Sequence, residues 1–331
     1  MAITFLTNSI KDFNGGAWVT TAGRFDSAYV DGCVRITAPG TSSQPVSFGH
    51  DVDLSGESLV SVHFDLWMPR TNSSGSDGEW GRWSAPNGQL MVYLDVSNGA
   101  FGVRCYNAAG GFTSSAFSWF PPSNTLTTID IVYEDNGTTC TATLYADGVQ
   151  QITVSQAASG AAIMPTVMQM THNDMTLYTY EEIAYSQVIF AHGETTLGMK
   201  MERLDADSIG THTDMSSTIT EINDDDRGTG WSSGTNTDKN SYNLPTYTVP
   251  VGRLIHSLNL QSTVRIGTIG PVNIRPFVRI SSVDYDSAAD YTPPTHQFGK
   301  HNASFTVDPS TTVAWTAAGV GGAEVGFQVK T

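Results

Sequence analysis

Thr128-Ile129-Asp130-Ile131-Val132-Tyr133, Glu134-Asp135-Asn136-Gly137, Cys140-Thr141-Ala142-Thr143-Leu144-Tyr145, Ala146-Asp147-Gly148 and Val149-Gln150-Gln151-Ile152-Thr153-Val154 form the stretch on which the fold turns. Apolar and polar residues alternate with a period of two, which puts one side of each run in a core and the other in water. The Asn-Gly and Asp-Gly pairs between the runs accept the positive φ that tight connections demand. Three successive antiparallel strands are expected, with their turns already spelled out.

The same period recurs outward from this meander. Val60 to Trp67, Leu90 to Val96 and Phe101 to Cys105 alternate, the last two joined by Asn98-Gly99, and Glu182 to Phe190 adds another strand. The chain is 39% hydrophobic and only 15% charged, and Thr, Ser, Gly and Asn fill the remainder. Such residues supply turns and compete with helix hydrogen bonds, so an all-β fold follows. A length of 331 residues implies two domains at roughly 100–200 residues each. From Ala191 to about Asn223 the chain becomes polar, and it reads as a connector with one strand from Gly198 to Leu204. Asp224-Asp225-Asp226 then opens a second body, with strands expected at Thr246–Val251, Leu254–Val264, Val272–Ser281, Ser304–Val307 and Val325–Val329. Pro245, Pro250, Pro271, Pro293 and Pro294 punctuate them, as suits strand ends and edges.

Two resemblances sharpen this outline. The strand, the Asn136-Gly137 turn, Leu144-Tyr145-Ala146-Asp147-Gly148 and the closing strand Glu182–Phe190 resemble the centre and end of concanavalin A-like (laminin G-like) jelly rolls. In the tail, Asp308-Pro309, Ala314-Trp315-Thr316-Ala317-Ala318 and Val325 to Lys330 resemble the ending of a group of tailed-bacteriophage virion proteins. Gly198-Met199-Lys200-Met201 and Asp224 to Trp231 fit the same layout. The implied organisation is a jelly-roll sandwich over 1–195, a connector over 196–223, and a smaller C-terminal β-sandwich over 224–331 that anchors or oligomerises. The implied role is a non-enzymatic structural protein on a phage particle, a tail or fibre component that contacts host glycans. A capsid decoration protein is the alternative, and a polysaccharide-degrading enzyme on the same fold is the alternative of another class. Partners would be other virion proteins and further copies of the chain, a trimer being one arrangement.

Charge narrows the partners. With 32 Asp and Glu against 16 Lys and Arg the net charge is −16, so nucleic acid is disfavoured by phosphate repulsion. No run approaches the roughly 20 apolar residues of a membrane helix, so membrane insertion is not expected. Met1 to Thr7 lacks a basic lead and a long apolar stretch, and the three cysteines, Cys33, Cys105 and Cys140, are too widely spaced for a disulfide framework. Assembly in a host cytosol, release by lysis and residence in the virion are the corresponding expectation.

Catalytic patterns are missing from the sequence. Glu181 and Glu182 are adjacent and face opposite ways in a strand, while Asp51 and Asp53 lack a matching Glu. The eight histidines show no metal-type spacing, and His63 and His256 read as surface or satisfied structural residues. No cofactor is expected. Calcium is possible, because hard cations seek clustered oxygens, and Asn173, Asp174, Asp224 and Asp226 are its candidate ligands. For glycan contact the candidates are Trp80 and Trp83, in a loop-like stretch with Glu79 and Arg82 beside them. Trp119 precedes Phe120 and two prolines in another such place, whereas Trp315 and Phe327 are expected in the second core.

Overall fold

The computed structural model describes residues 2–7, 17–27, 33–37, 46–49, 54, 56–68, 78–85, 87–97, 100–170, 182–215, 217–223, 229–267, 271–295 and 299–331. The chain divides into two units, Met1–Glu202 and Arg203–Thr331. Among the described residues the regular structure of both is antiparallel strand, apart from two short helices in the second unit.

The first unit contains β1 (Ala2–Thr7), β2 (Ala17–Val19), β3 (Cys33–Thr37), β4 (Val46–Gly49), β5 (Leu59–Met68), β6 (Gly78–Ser84) and β7 (Leu90–Ser97). It continues with β8 (Ala100–Tyr106), β9 (Phe112–Ser114), β10 (Thr125–Asp135), β11 (Thr139–Ala146), β12 (Val149–Ala157), β13 (Val167–Met170) and β14 (Glu182–His192). One sheet runs β12-β11-β10-β5-β14-β3-β2, with β1 also paired to β14, and the other runs β4-β13-β6-β7-β8-β9. The expected meander is β10-β11-β12, its register running from Ile129 opposite Ala146 to Asp135 opposite Cys140. Its first turn is held by Asp135 Oδ1 accepting from Gly137 N and by Asn136 Oδ1 accepting from Thr138 and Thr139 N, each at 2.9 Å. The turn between β7 and β8 lies outside the described residues, but Ser97 opposite Ala100 brackets it.

Alternation on these strands makes the core. Val60, Val62, Phe64 and Leu66 of β5 and Ile129, Ile131 and Tyr133 of β10 pack against Val92, Leu94, Phe101 and Val103 of the other sheet. The result is a two-sheet sandwich of jelly-roll class, held by apolar burial between the layers.

The other face of the first sheet is unusual for an antiparallel layer. Ser61, His63 and Asp65 alternate away from the core, as their polarity demands, yet each is fully buried, as is Asp130 beside them. The cover is a strap of chain, Gly193–Glu202, that lies on them. Ser61 Oγ donates to Glu194 O at 3.0 Å, and Thr196 Oγ1 donates to Asp130 Oδ1 at 2.8 Å. Lys200 Nζ donates to Asp65 Oδ1 at 3.1 Å, and Met199 packs on Ile189. His63 Nδ1 lies 2.9 Å from Asp130 Oδ1. His63, expected at a surface or as a satisfied structural residue, therefore stands on the polar side of its strand but out of water, and among the described residues its Nε2 meets no hydrogen-bond partner. The strap also revises the expectation of a connector at 196–223. Residues 198–204 form no strand; within them Lys200 Nζ and Met201 N bond onto the sheet side chains of Asp65 and Gln187. The later part of the segment belongs to the second unit.

That unit comprises β15 (Ser208–Thr213), α1 (Ile219–Asn223), β16 (Lys239–Asn243), β17 (Leu258–Val264), β18 (Asn273–Ile280), β19 (Val283–Asp286), β20 (Gly299–Phe305), α2 (Ala317–Gly321) and β21 (Glu324–Lys330). A five-stranded sheet runs β15-β16-β21-β18-β19, and β17 pairs with β20 in a separate ribbon. Its core gathers Leu244, Leu260, Val278, Phe305, Trp315 and Val320, with Phe327 packed against them. Trp315 Nε1 donates to Phe305 O at 2.7 Å, so the indole is buried without losing its hydrogen bond. Thr246–Val251 is not a strand, and β17 starts only at Leu258. Prolines at 245 and 250 remove the backbone donors a ladder would need there. Gly326 is required by packing, since a Cβ would collide with Asn240 O and the Phe277 ring.

Candidate functional site

Strand register places a band of aromatic and charged side chains on the outward face of the second sheet of the first unit. Core residues Val92 and Leu94 alternate with Tyr93 and Asp95 on β7, and Val103 and Cys105 alternate with Arg104 and Tyr106 on β8. Across strands, Gln169, Arg82, Tyr93, Arg104 and Ser114 stand opposite one another in a single row. Tyr106 stands opposite Phe112, and Asp95 stands opposite Gly102.

Arg104 is the centre of this band. Its guanidinium carbon lies 4.9 Å from the Tyr93 ring centroid and 5.8 Å from that of Phe112. Its Nε donates to Asp95 Oδ2 at 2.6 Å. Burial works against the charge, but the carboxylate's charge and hydrogen bond outweigh it and push the guanidinium above its ordinary value. The Phe112 ring leans on that of Tyr106 with centroids 5.1 Å apart, and Phe112 is still 51% exposed. Phe117, 41% exposed, lies over Gly102, where a Cβ would come within 3.0 Å of its ring. Glycine there lets an aromatic ring rest on the sheet. The combination is exposed ring surface at Phe112 and Phe117 beside a planar cation paired with a carboxylate; Tyr93, Asp95, Arg104, Tyr106 and Phe112 are positioned by strands, and Phe117 by the segment after β9. Ring faces suit the C–H face of a sugar, while the part-exposed guanidinium matches its hydroxyls as a donor and the buried Asp95 orients it.

The residues expected from sequence fall differently. Glu79 to Ser84 belong to β6 rather than to a loop. Trp83 is 1% exposed in the core and meets Phe190 edge to face, so it offers no platform to a ligand. An inward-facing apolar ring is worth more as core than as contact, and the strand's alternation sends it inward. Arg82, next to it, points the other way and joins the row beside Tyr93. Glu79 occupies the register position opposite Asp95, while the side chains of Glu79 and Trp80 lie outside those described. Trp119 packs on Phe101 and is 9% exposed, and Phe120 is 45% exposed. Asn173, Asp174, Asp224 and Asp226 lie outside the described residues. Among the described residues no group of three or more His, Cys, Asp and Glu is arranged to hold a metal, and no helix is long and apolar enough to cross a membrane.

Tyr93, Asp95, Arg104, Tyr106 and Phe112 were not singled out from sequence. For the first four the signal was available: aromatic and charged residues alternating with apolar ones on two strands joined by one hairpin, whereas Phe112 lies on the short β9.

A second polar cluster lies in the second unit, on the five-stranded sheet. Asp284 accepts from Lys239 Nζ at 2.7 Å and from Arg279 Nη1 at 2.5 Å, with His212 Nε2 at 2.9 Å. Glu324 accepts from Ser241 Oγ and Thr211 Oγ1 at 2.6 Å each. Each carboxylate is saturated by its neighbours, which marks the cluster as structural.

No protein-family model matches the sequence, and no curated protein matches it. Among solved structures the chain is similar to the binding domain of Paraclostridial Mosquitocidal Protein 1, with 14% identity, TM-score 0.40, and coverage of 56% of this chain and 44% of that one. It is also similar to the carbohydrate esterase vb_24B_21 of the Shiga toxin-encoding bacteriophage phi24B, with 11% identity, TM-score 0.39, and coverage of 57% and 90%. A third is alginate lyase vAL-1 from Chlorella virus, with 8% identity, TM-score 0.40, and coverage of 58% and 100%. The chain thus spans less than half the length of the first of these. Overlaps of this size carry no functional inference.

Proposed function

We propose that the protein is a non-enzymatic glycan-contacting component displayed on a bacteriophage particle, engaging host surface sugars through the outward face of β6 to β9. The observation that carries this reading is Arg104, stacked between Tyr93 and Phe112 and oriented by Asp95. Rings fixed on strands lose little entropy when a sugar stacks on them, and many copies on one particle would turn weak single contacts into firm attachment. The virion assignment rests on the sequence pattern of the tail, and the acidic surface suits dense display without clumping. The non-enzymatic reading rests on the sequence, which spells no catalytic carboxylate pair.

The test is retention of the full chain on immobilised host-envelope polysaccharide. Phe112→Ala and Arg104→Ala should each weaken retention about tenfold, equivalent to about 1.4 kcal/mol. Equal retention by the folded variants and the native protein would overturn the assignment of this face. Co-sedimentation with purified particles tests the location separately.

A further inference from the structure

The strap's contact with the first sheet has more in it than an ion pair. Lys200 Nζ lies 3.1 Å from Asp65 Oδ1 and 3.5 Å from Oδ2, so it approaches the carboxyl group itself. Thr128 Oγ1 bridges the two groups, donating to Asp65 Oδ1 at 2.8 Å and accepting from Lys200 Nζ at 3.2 Å. On the other oxygen, Gln187 Nε2 donates to Asp65 Oδ2 at 2.5 Å. Asp65 and Gln187 are fully buried. Thr128 stands directly opposite Asp65 in the β10–β5 ladder, so neither can drift from the other.

Gln187 is held there by an irregular backbone. It has φ of 52° and occupies the bulge where the β14–β5 register slips between Ser186 and Ile189. Left-handed backbone is uncommon for a non-glycine residue, and bulges re-aim side chains. Here the bulge turns an amide onto a carboxyl oxygen, and Met201 N, from the strap, donates to Gln187 Oε1 at 3.2 Å to fix its orientation.

We propose that Lys200 and Asp65 are the partners of an intramolecular isopeptide bond that fastens the strap covalently to the sheet. The reaction begins from the neutral pair, the ammonium having passed one proton to the carboxylate through the Thr128 hydroxyl. The Nζ lone pair adds to Asp65 Cγ, forming the C–N bond and placing negative charge on Oδ2. Gln187 Nε2 stabilises that oxyanion, as donors aimed at developing charge do. The protonated Oδ1 takes a second proton from Nζ by way of Thr128 Oγ1 and leaves as water when the C–O bond breaks. Amine and acid give amide and water, with no change in oxidation state and no further reactant. Holding Nζ 3.1 and 3.5 Å from the two carboxyl oxygens replaces a bimolecular encounter, and exclusion of solvent from Asp65 opposes the reverse hydrolysis.

The bond would join residues 135 positions apart. Force applied along the chain beyond Glu202 would then load β5 in the middle of the sheet, and the strap could not be peeled away first.

The test is the intact mass of the full chain measured after unfolding. The expected result is a mass one water below that of the sequence, and a branched peptide on digestion that joins the Asp65 and Lys200 segments. Lys200→Arg keeps the cation and should restore the full mass. This separates the bond from water loss within an aspartyl residue alone. Asp65→Asn should join to Lys200 with loss of ammonia in place of water. Thr128→Val should leave most molecules unjoined. A full native mass with two linear peptides after prolonged incubation of folded protein overturns the proposal, and so does water loss that persists in Lys200→Arg.

Discussion

Trp83 and Phe190 meet edge to face between the two layers of the first unit, with ring centroids 6.0 Å apart. Trp83 comes from β6 of one sheet and Phe190 from β14 of the other. The contact pins the layers together near the strand that was expected to form a binding loop.

Trp83→Ala should therefore act on stability. Removing a buried indole leaves a cavity and costs about 3–5 kcal/mol. Urea unfolding followed by circular dichroism measures the loss. A shift below about 1 kcal/mol would mean that the ring does not occupy the core.

Arg104→Lys separates charge from shape. Lysine keeps the cation but cannot lie flat between Tyr93 and Phe112 while bonding Asp95 through a planar edge. Polysaccharide retention should fall several-fold, with stability changing by less than about 1 kcal/mol, since the pair is only part-buried. Wild-type retention by this variant would show that the positive charge alone suffices.

The second unit should lose stability in acid. Burial pushes the Asp284 carboxyl up, but hydrogen bonds from Lys239 and Arg279 and the nearby charge of His212 outweigh it and hold it below the usual carboxylate range. Burial of Glu324 is likewise outweighed by donors from Ser241 and Thr211 and by the charge of Arg279. A depressed folded value means that the unfolded chain takes up the proton more readily. The stabilisation is thus complete above the ordinary carboxylate values of about 4 and is lost as pH falls below them. Hydrogen exchange of β16 and β19 amides in the full chain should accelerate in that window, and Asp284→Asn should flatten the dependence.

The cysteines should be inert while the protein is folded. Burial, aided by neighbouring Cys140, pushes the Cys105 thiol up to about 12, and burial also raises Cys140. With Cys33 fully buried as well, a thiol reagent at pH 8 should label none of them until denaturant is added. Prompt labelling of the native chain would show that these thiols reach solvent.

The strands that could be read from sequence were those with clear alternation and glycine turns, such as β10 to β12 and the β7–β8 pair. β6 was hidden because Gly78 to Ser84 mixes small, charged and aromatic residues without a clean period, and register slips at Glu79/Gly81 and Trp83/Ser84 interrupt the pleat. The strap was hidden for a different reason. Nothing in Thr196 or Lys200 announces a partner, since Asp130 and Asp65 lie 66 and 135 positions away. Tyr93 and Arg104 were visible one by one, but their meeting depends on pairing register, which the turn sets. Polarity showed that His63 faces away from the core; it could not show that another segment would cover it.

That cover arrives late in synthesis. His63, Asp65 and Asp130 will have left the ribosome long before Thr196 and Lys200 do, so the nascent sheet waits with a wet polar face. Only when the chain has grown past Glu202 can that face close, and a chain stopped at residue 195 would keep it hydrated. The smallest autonomous folding length of the first unit is thereby set by a strap that contributes no strand.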